Sequence, residues 1–577
     1  MQTLVDTKGA ESKPYYFPLL LAVIAAISYI RIFFLMDVFM DDHCWLQSIF
    51  TSNDIIDFLN TGFFELRRVP QGLALYPIWM LFKISDHAFF IVHLITIVIQ
   101  IITPVVLYLF INKLFRKRIL AFIIASILLI YPIDTTVLVI TTMPYRLGLL
   151  ISLISFYLTQ RAFAEKTIWL YLIIAFLLSA ISHIFLMEST IALEPARLFM
   201  IGFILYNRGY EKKKVILSSL KYWSPFLLLC IPVVLYKLFY KPYGIYEGTY
   251  SPDLLFFLNW KLHGQYLAML LGGNWLYLLV KIKYLSYWSV ISGSIVFFIT
   301  YRFLKKSANK SSFSDLDQID NFSLPKEKRD KFSFNMIIIL GLMLLVPIVI
   351  MYEFASRKLG VGFDSRHGCL MQFGYAIIIG GFIYFISSKI IRIIKFKKQL
   401  FSLLFAALLG VGTFFINLNL DQYYKLWNLE KQFYTAFLDR FPALPDNADL
   451  MFDFQVKMPL GVQVVNYEAE HVINMLYAES NKPDEFRKHK VTQRYIYDYQ
   501  KDYPLTFEEI SHYGKDIYTP NELIVVRWKP GEFLVNSEIV KKYPNVVYKR
   551  LADKDTPALP PVSDYPLREK MNTFLGK

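Results

Sequence analysis

Residues 88–111 read AFFIVHLITIVIQIITPVVLYLFI, without one charged side chain. A helix needs about 20 such residues to cross hydrocarbon, where unpaired backbone N–H and C=O groups are very costly. Runs of the same kind recur near 17–36, 119–137, 147–160, 167–186, 190–206, 216–239, 285–304, 333–352, 369–390 and 399–417. Together they predict an all-α polytopic membrane domain of about eleven transmembrane helices. The run at 147–160 is short. A further stretch, 253–280, is interrupted by Lys261, His263 and Gly264 and reads as interfacial or re-entrant.

The whole composition agrees. Of 577 residues, 55% are hydrophobic, 17% aromatic and only 19% charged, and the mean hydropathy is +0.40. That excludes an ordinary soluble chain and a disordered one. The 61 Lys+Arg against 46 Asp+Glu give a net charge of +15. In a soluble protein this would point to nucleic acid. Here the basic residues crowd into alternate loops, 113–118, 161–166, 208–214, 302–331 and 389–398, while the loops between them hold few. The positive-inside rule then places the N-terminus in the cytoplasm and the C-terminus outside a plasma membrane. The charge excess sets sidedness and meets anionic headgroups, so no nucleic-acid partner is expected. The first apolar run ends in Met36-Asp37-Val38 rather than at a small-residue cleavage site, which predicts a retained anchor. Ser307–Lys331 reads as a flexible linker, and no internal repeat is evident.

The character changes at Asp421, which divides the chain into a membrane domain (1–420) and a C-terminal domain (421–577). Helical periodicity runs through Tyr423–Leu438 and Glu468–Ala478, and strand-like patterns through Asp449–Phe454 and Glu522–Trp528. A small extracytoplasmic α/β domain follows. Its Tyr423, Trp427, Tyr434, Tyr495, Tyr497 and Tyr499 read as core rather than as sugar-stacking platforms. Cys44, Cys230 and Cys369 lack zinc-site spacing, and free buried thiols are expected rather than a Cys44–Cys369 bridge.

Ionisable residues at helix mouths are the functional candidates. Asp41 and Asp42 follow the first span side by side. Two adjacent carboxylates repel, so one can hold a raised pKa and act as a base, although a solvated helix end is the plain reading of such a pair. Their side chains and that of His43 diverge on a helix, which disfavours a divalent metal site. Thr51-Ser52-Asn53-Asp54 starts a helix and Gly62 stops one, with Ile55, Ile56, Phe58 and Leu59 forming an apolar face for the membrane surface. Arg67 and Arg68 return the chain to the bilayer. The second outer loop carries Asp134 and Arg146, the third His183, Glu188 and Glu194, and the last Arg366 and His367. Acids and bases in separate loops of one face suit a substrate that pairs a phosphate with a hydroxyl needing activation. Arginine binds phosphate in bidentate fashion, and a carboxylate takes the proton.

In these features the sequence resembles the GT-C glycosyltransferases, polytopic enzymes that use polyprenyl-phosphate-linked sugars, such as protein O-mannosyltransferases and lipid A aminoarabinose transferases. The resemblance rests on an inside N-terminus, the acidic pair Asp41-Asp42 after the first span, and a long first outer loop with a surface helix. Asp134, Arg146 and an outer C-terminal domain extend it. It implies inverting transfer of a sugar from a polyprenyl-phosphate donor to a hydroxyl of a glycan, lipid or protein acceptor in the cell envelope. Asp41 or Asp42 would be the base, Asp134 the second acid, and Arg67, Arg68, Arg146 or Arg366 would hold the phosphate, beside Glu188 and His367. No cofactor is implied, and a divalent metal is not favoured. The pair reads Asp-Asp where the protein mannosyltransferases carry Asp-Glu, and the Trp-Trp-Asp motif of oligosaccharyltransferases is missing. The alternative is another envelope-polysaccharide membrane protein: an O-antigen polymerase, a ligase or a flippase-type transporter. A transporter would place charges deep within its spans.

Overall fold

A computed structural model describes residues 16–35, 39, 42–131, 134–164, 168–243, 255–309, 326–355, 357, 359–360, 362–393, 397–456, 466–478, 489–493, 507–511, 514–518, 523–546, 549–562, 565 and 568. The first helix, α1 (Tyr16–Tyr29), runs into a 3-10 turn, Ile30–Phe34. Three shorter helices follow: α2 (Asp42–Thr51), α3 (Ile55–Asn60) and α4 (Val69–Ile84). Asp54 caps α3 by accepting the N–H groups of Ile56 and Asp57, as the sequence predicts. Only part of the apolar face of α3 is free for a membrane surface. Ile56 is exposed, but Phe58 and Leu59 are buried, with Phe58 against Trp45 and Phe63.

The bundle continues with α5 (Ala88–Phe115), α6 (Arg118–Ile130), α7 (Met143–Ala164), α8 (Ile168–Ala180), α9 (Glu194–Asn207) and α10 (Lys212–Phe239). Next come α11 (Trp260–Ala268) and α12 (Asn274–Val280), then α13 (Tyr287–Asn309), α14 (Lys326–Phe354), α15 (Gly368–Ile393) and α16 (Lys397–Arg440). Among the described residues nine helices are long and apolar enough to cross a membrane, so the chain is a mostly helical, multi-pass membrane protein. Two of the expected spans are not among the nine. At 13 residues α6 extends only about 20 Å, and everything in it beyond Arg118 is buried between neighbouring helices. The other, α7, is long enough but carries Ser152, Ser155, Thr159 and Gln160 on a buried face. Within the 253–280 stretch, Trp260–Val280 is a broken helix whose kink falls at Gly272, at φ +126°. Part of the expected 307–331 linker is helical, since α13 runs to Asn309 and α14 starts at Lys326; 310–325 lie outside the described residues.

Close helix crossings need small residues. A Cβ on Gly410 would lie 2.9 Å from the carbonyl oxygen of Gly293, and one on Gly374 2.7 Å from that of Gly341. These contacts set the α13–α16 and α14–α15 crossings.

The long α16 leaves the bundle without a break, so the boundary expected at 420/421 falls inside a continuous helix of 44 residues. Asp421 ties it down. Its carboxylate takes Arg31 (2.8 Å), the N–H and hydroxyl of Ser286 (2.9 and 2.7 Å) and the hydroxyl of Ser289 (2.5 Å). The last turns of α16 then lie under a four-stranded sheet of order β2-β1-β5-β6. Its strands are β1 (Asp449–Phe454), β2 (Lys490–Gln493), β5 (Leu523–Lys529) and β6 (Glu532–Val535). The β1 strand pairs in parallel with β2 and β5, and β5 in antiparallel with β6. A separate hairpin joins β3 (Phe507–Ser511) to β4 (Gly514–Tyr518). Phe433 stacks edge-on against Phe452 and Trp528, so one apolar core runs from the bundle into the sheet. The helix α17 (Asn466–Leu476), between β1 and β2, packs on α2, where His471 Nδ1 hydrogen-bonds to Gln47 Oε1. Two short helices, α18 (Ser537–Lys542) and α19 (Lys549–Ala552), complete this region. All three cysteines are buried, and none is in a disulfide.

Gly410→Val should force α13 from α16 and lower stability by about 1–3 kcal/mol. Gly264→Ala, where a Cβ meets nothing within 4 Å, should show no loss. Thermal unfolding of the detergent-solubilised chain reads both.

Candidate functional site

The first residue of α2 does not point to open solvent. Asp42 is buried, and its carboxylate accepts the N–H groups of Ile140 (2.7 Å, at Oδ2) and Thr141 (2.8 Å, at Oδ1). These donors open the 3-10 turn Ile140–Thr142 that leads into α7, where N–H groups lack intrahelical partners. A carboxylate is the natural partner for such an end. Burial pushes the Asp42 carboxyl up to about 7, against the opposing pull of the two N–H donors. Asp41 lies outside the described residues.

A second carboxylate organises the same segment. Asp134 Oδ1 accepts the N–H and hydroxyl of Thr136 (2.8 and 2.6 Å), and Oδ2 takes Arg146 (2.9 Å). The guanidinium also reaches the carbonyls of Thr136 (3.1 Å from one nitrogen, 3.0 Å from the other) and Val139 (3.1 Å), and the Thr142 hydroxyl (2.9 Å). Both NH2 groups of Arg146 are thereby spent inside 134–142, which folds the segment over the end of α7.

Thr135 connects this fold to the rest. Its N–H and hydroxyl meet Ser365 Oγ, each at 2.8 Å, in the turn that precedes α15. Its carbonyl accepts Asn419 and Tyr423 of α16, both at 2.9 Å. The 365–367 turn is therefore joined to 134–146. His367 is buried there between the rings of Tyr145 and Tyr352, and Arg366 is half-buried. The Tyr352 hydroxyl donates to Ser189 (3.1 Å), next to Glu188, which makes a loose ion pair with Arg68 (3.7 Å).

The structure thus joins Asp42, Asp134 and Arg146 into one unit, connects it directly to the Arg366–His367 turn, and reaches Glu188 and Arg68 through Tyr352. Arg67 goes elsewhere. At φ +55° its side chain turns toward the end of α10, over Tyr243 (4.6 Å) and Tyr240 (5.4 Å), and donates to the Lys241 carbonyl (3.2 Å). A cavity of ≈ 50 Å³ lies beneath the unit, lined by Asp134 and Arg146 with Tyr29, Thr103, Gln372 and Asn419 among others. Neither Asp42 nor Arg366 reaches its wall. Asn419 Oδ1 has no hydrogen-bond partner among the described residues, and the space is large enough for a few water molecules. Among the described residues no group of three His, Cys, Asp or Glu side chains is arranged to hold a metal ion.

Two features were hidden in the sequence. Tyr29 and Asn419 sit in apolar spans and reveal themselves only by folding onto 134–146. His263, named merely as an interruption, pairs with Glu353 (2.6 Å, at Nδ1), while its Nε2 faces the Phe257 carbonyl (3.2 Å). Both partners accept, so the doubly protonated ring is favoured; the Glu353 bond first and the Phe257 carbonyl second raise its pKa above the ordinary value.

Comparison with family models, curated proteins and solved structures gives no match.

Asp42→Asn replaces an acceptor with a donor opposite one of two buried N–H groups. It should cost about 1–3 kcal/mol of stability, read by thermal unfolding. The His263–Glu353 pair has the opposite control. With the folded pKa raised, its contribution is full below the unfolded value of about 6.5 and fades as pH rises through the folded one. His263→Gln should flatten that part of the stability–pH curve; an unchanged curve would contradict the pairing.

Proposed function

We propose that the chain is an inverting membrane glycosyltransferase that moves a sugar from a polyprenyl-phosphate donor to an acceptor hydroxyl. The reaction would take place on the extracytoplasmic face of the plasma membrane. In this reading the N-terminus is cytoplasmic, about eleven segments span the bilayer, and the C-terminal α/β domain lies outside. The observation that carries it is the joining of three sequence-distant segments, through Asp42, Asp134–Arg146 and Ser365, at one end of the bundle. Residues predicted to face the same side meet there, with a carboxyl brought near neutrality by burial.

The roles divide by what each side chain is already doing. Asp42 is buried and holds Ile140 and Thr141, so it positions the site. Asp41, its neighbour in the chain, is then the base. It takes the proton of the acceptor hydroxyl; the hydroxyl oxygen attacks the anomeric carbon, and the bond to the phosphate oxygen breaks with its electron pair on polyprenyl phosphate. Arg146 is committed to its own segment; the phosphate is assigned to the half-buried Arg68 and Arg366, whose guanidinium groups suit bidentate binding of phosphate oxygens. The chemistry calls for no cofactor.

The transporter reading has one observation in its favour, a charged cluster within the bundle formed by His183, Glu194 and Arg197. The full chain in liposomes, supplied with a panel of polyprenyl-phosphate-linked hexoses, separates the two. The proposal expects release of polyprenyl phosphate with at least one donor, reduced about 10²–10⁴-fold by Asp41→Asn. Undiminished release in that variant overturns the base assignment. Lipid flux without release from any donor overturns the transferase.

A further inference from the structure

Arg67, which the joined unit leaves out, has an arrangement of its own at the end of α10. That helix has 28 residues, about 42 Å of rise, enough to cross the hydrocarbon with turns to spare. Lys212, Lys213 and Lys214 mark one end, and Arg67 meets the other, where a crossing helix reaches the headgroups. Two hydrogen bonds clip the chain after α10 to the turn before α4. The Tyr243 N–H donates to the Glu65 carbonyl (3.2 Å), and Arg67 Nε donates to the Lys241 carbonyl (3.2 Å). Tyr240 stacks on Tyr236 at 5.1 Å, and the guanidinium lies over Tyr240 and Tyr243. The left-handed backbone of Arg67 is costly for a residue with a side chain, and such strain collects at ligand clamps.

The free valences of this arrangement face outward. Among the described residues Nε is the one nitrogen of Arg67 bonded to protein, so both NH2 groups, which together grip two oxygens, are open. The nearby carboxylates do not neutralise it: Glu188 pairs with Arg68, and Glu65 meets this segment through its carbonyl. Lys241 adds an exposed second cation. Tyr240 and Tyr243 are each about half exposed, as tyrosines are where a membrane meets water. Along α10, Leu228, Ile231, Leu235 and Phe239 recur at helical spacing with large exposed surfaces, a strip open to hydrocarbon that ends beside Tyr240.

We propose that Arg67 and Lys241 bind the phosphate of an anionic glycerophospholipid whose acyl chains lie along that strip of α10. The two open NH2 groups of Arg67 take two phosphate oxygens, the tyrosine rings fix the guanidinium plane, and Lys241 supplies the second positive charge. The source is the bilayer itself. The site stands on a lipid-facing flank, whereas Arg67 has no part in the Asp42–Asp134–Arg146 unit. The bound lipid bridges segments 174 residues apart in the chain, the turn before α4 and the end of α10. The proposal rests on the multi-pass membrane fold alone and holds or fails without any transferase activity.

Native mass spectrometry of the full chain tests it. The protein is delipidated in detergent, then offered phosphatidylglycerol, phosphatidylcholine or polyprenyl phosphate at equal concentration. The expected result is one preferentially bound phosphatidylglycerol, weakened on the order of tenfold by Arg67→Ala. Arg67→Lys keeps the charge but not the fork, and should lose most of the binding too. It carries the comparison should thermal unfolding show that Arg67→Ala does not fold. Lys283→Ala, which removes an exposed lysine elsewhere, should bind as wild type does. Undiminished phosphatidylglycerol binding in the folded Arg67 variants overturns the proposal, as does an equal loss in Lys283→Ala. Phosphatidylcholine bound as well as phosphatidylglycerol overturns the recognition of charge. Tighter Arg67-dependent binding of polyprenyl phosphate overturns the assignment to a bilayer lipid.

Discussion

Arg146 is the constraint on which this end of the molecule depends. Among the described residues between α6 and α7 there is no regular structure until Ile140, so their carbonyls need donors from elsewhere. One guanidinium serves those of Thr136 and Val139 and also reaches the Thr142 hydroxyl and the Asp134 carboxylate, all from the first turn of α7. A buried ion pair seldom adds net stability, because desolvation offsets the Coulombic gain. Its value here is in specifying one shape. That shape presents Ile140 and Thr141 to Asp42, and Thr135 to Ser365 and α16.

Everything near the site is consequently shared between elements. The α2 helix is held from below by the 3-10 turn and from above by α17. The C-terminal sheet is joined to the bundle by a continuous helix and a common aromatic core rather than tethered to it. The site's geometry and the sheet's position are therefore coupled through α2 and α16. A transferase of the proposed kind needs such rigidity, since acceptor and lipid donor must meet within a fraction of an ångström.

Much of the fold was legible in the sequence because apolar runs and alternation are local signals. Asp449–Phe454 is recovered as β1, and the Asp54 cap starts α3. From the 119–137 run only Arg118–Ile130 forms a helix, buried among its neighbours, since apolarity alone does not tell where such a helix ends or which of its faces meet protein. The boundary at Asp421 marks a change of composition, but the backbone continues as helix because Phe433 and Phe437 have the sheet to cover. For the site, Asp42, Asp134 and Arg146 stand out by charge, whereas their grouping depends on long-range bonds that no spacing reveals. Arg67 carries the same charge as Arg68 and yet turns to Tyr243. Arg197 was overlooked because it lies one helical turn inside an apolar span.

Hydrogen–deuterium exchange on the full chain, wild type against Arg146→Lys, tests the interlocked site most directly. Lysine retains the charge but cannot fork to several carbonyls at once. Faster exchange should begin at 134–142 and spread to the amides of α2 and of 362–367, while α13 and the sheet stay protected. Deprotection confined to 134–142 would contradict the account, for it would mean that Asp42 and Ser365 are held without that segment.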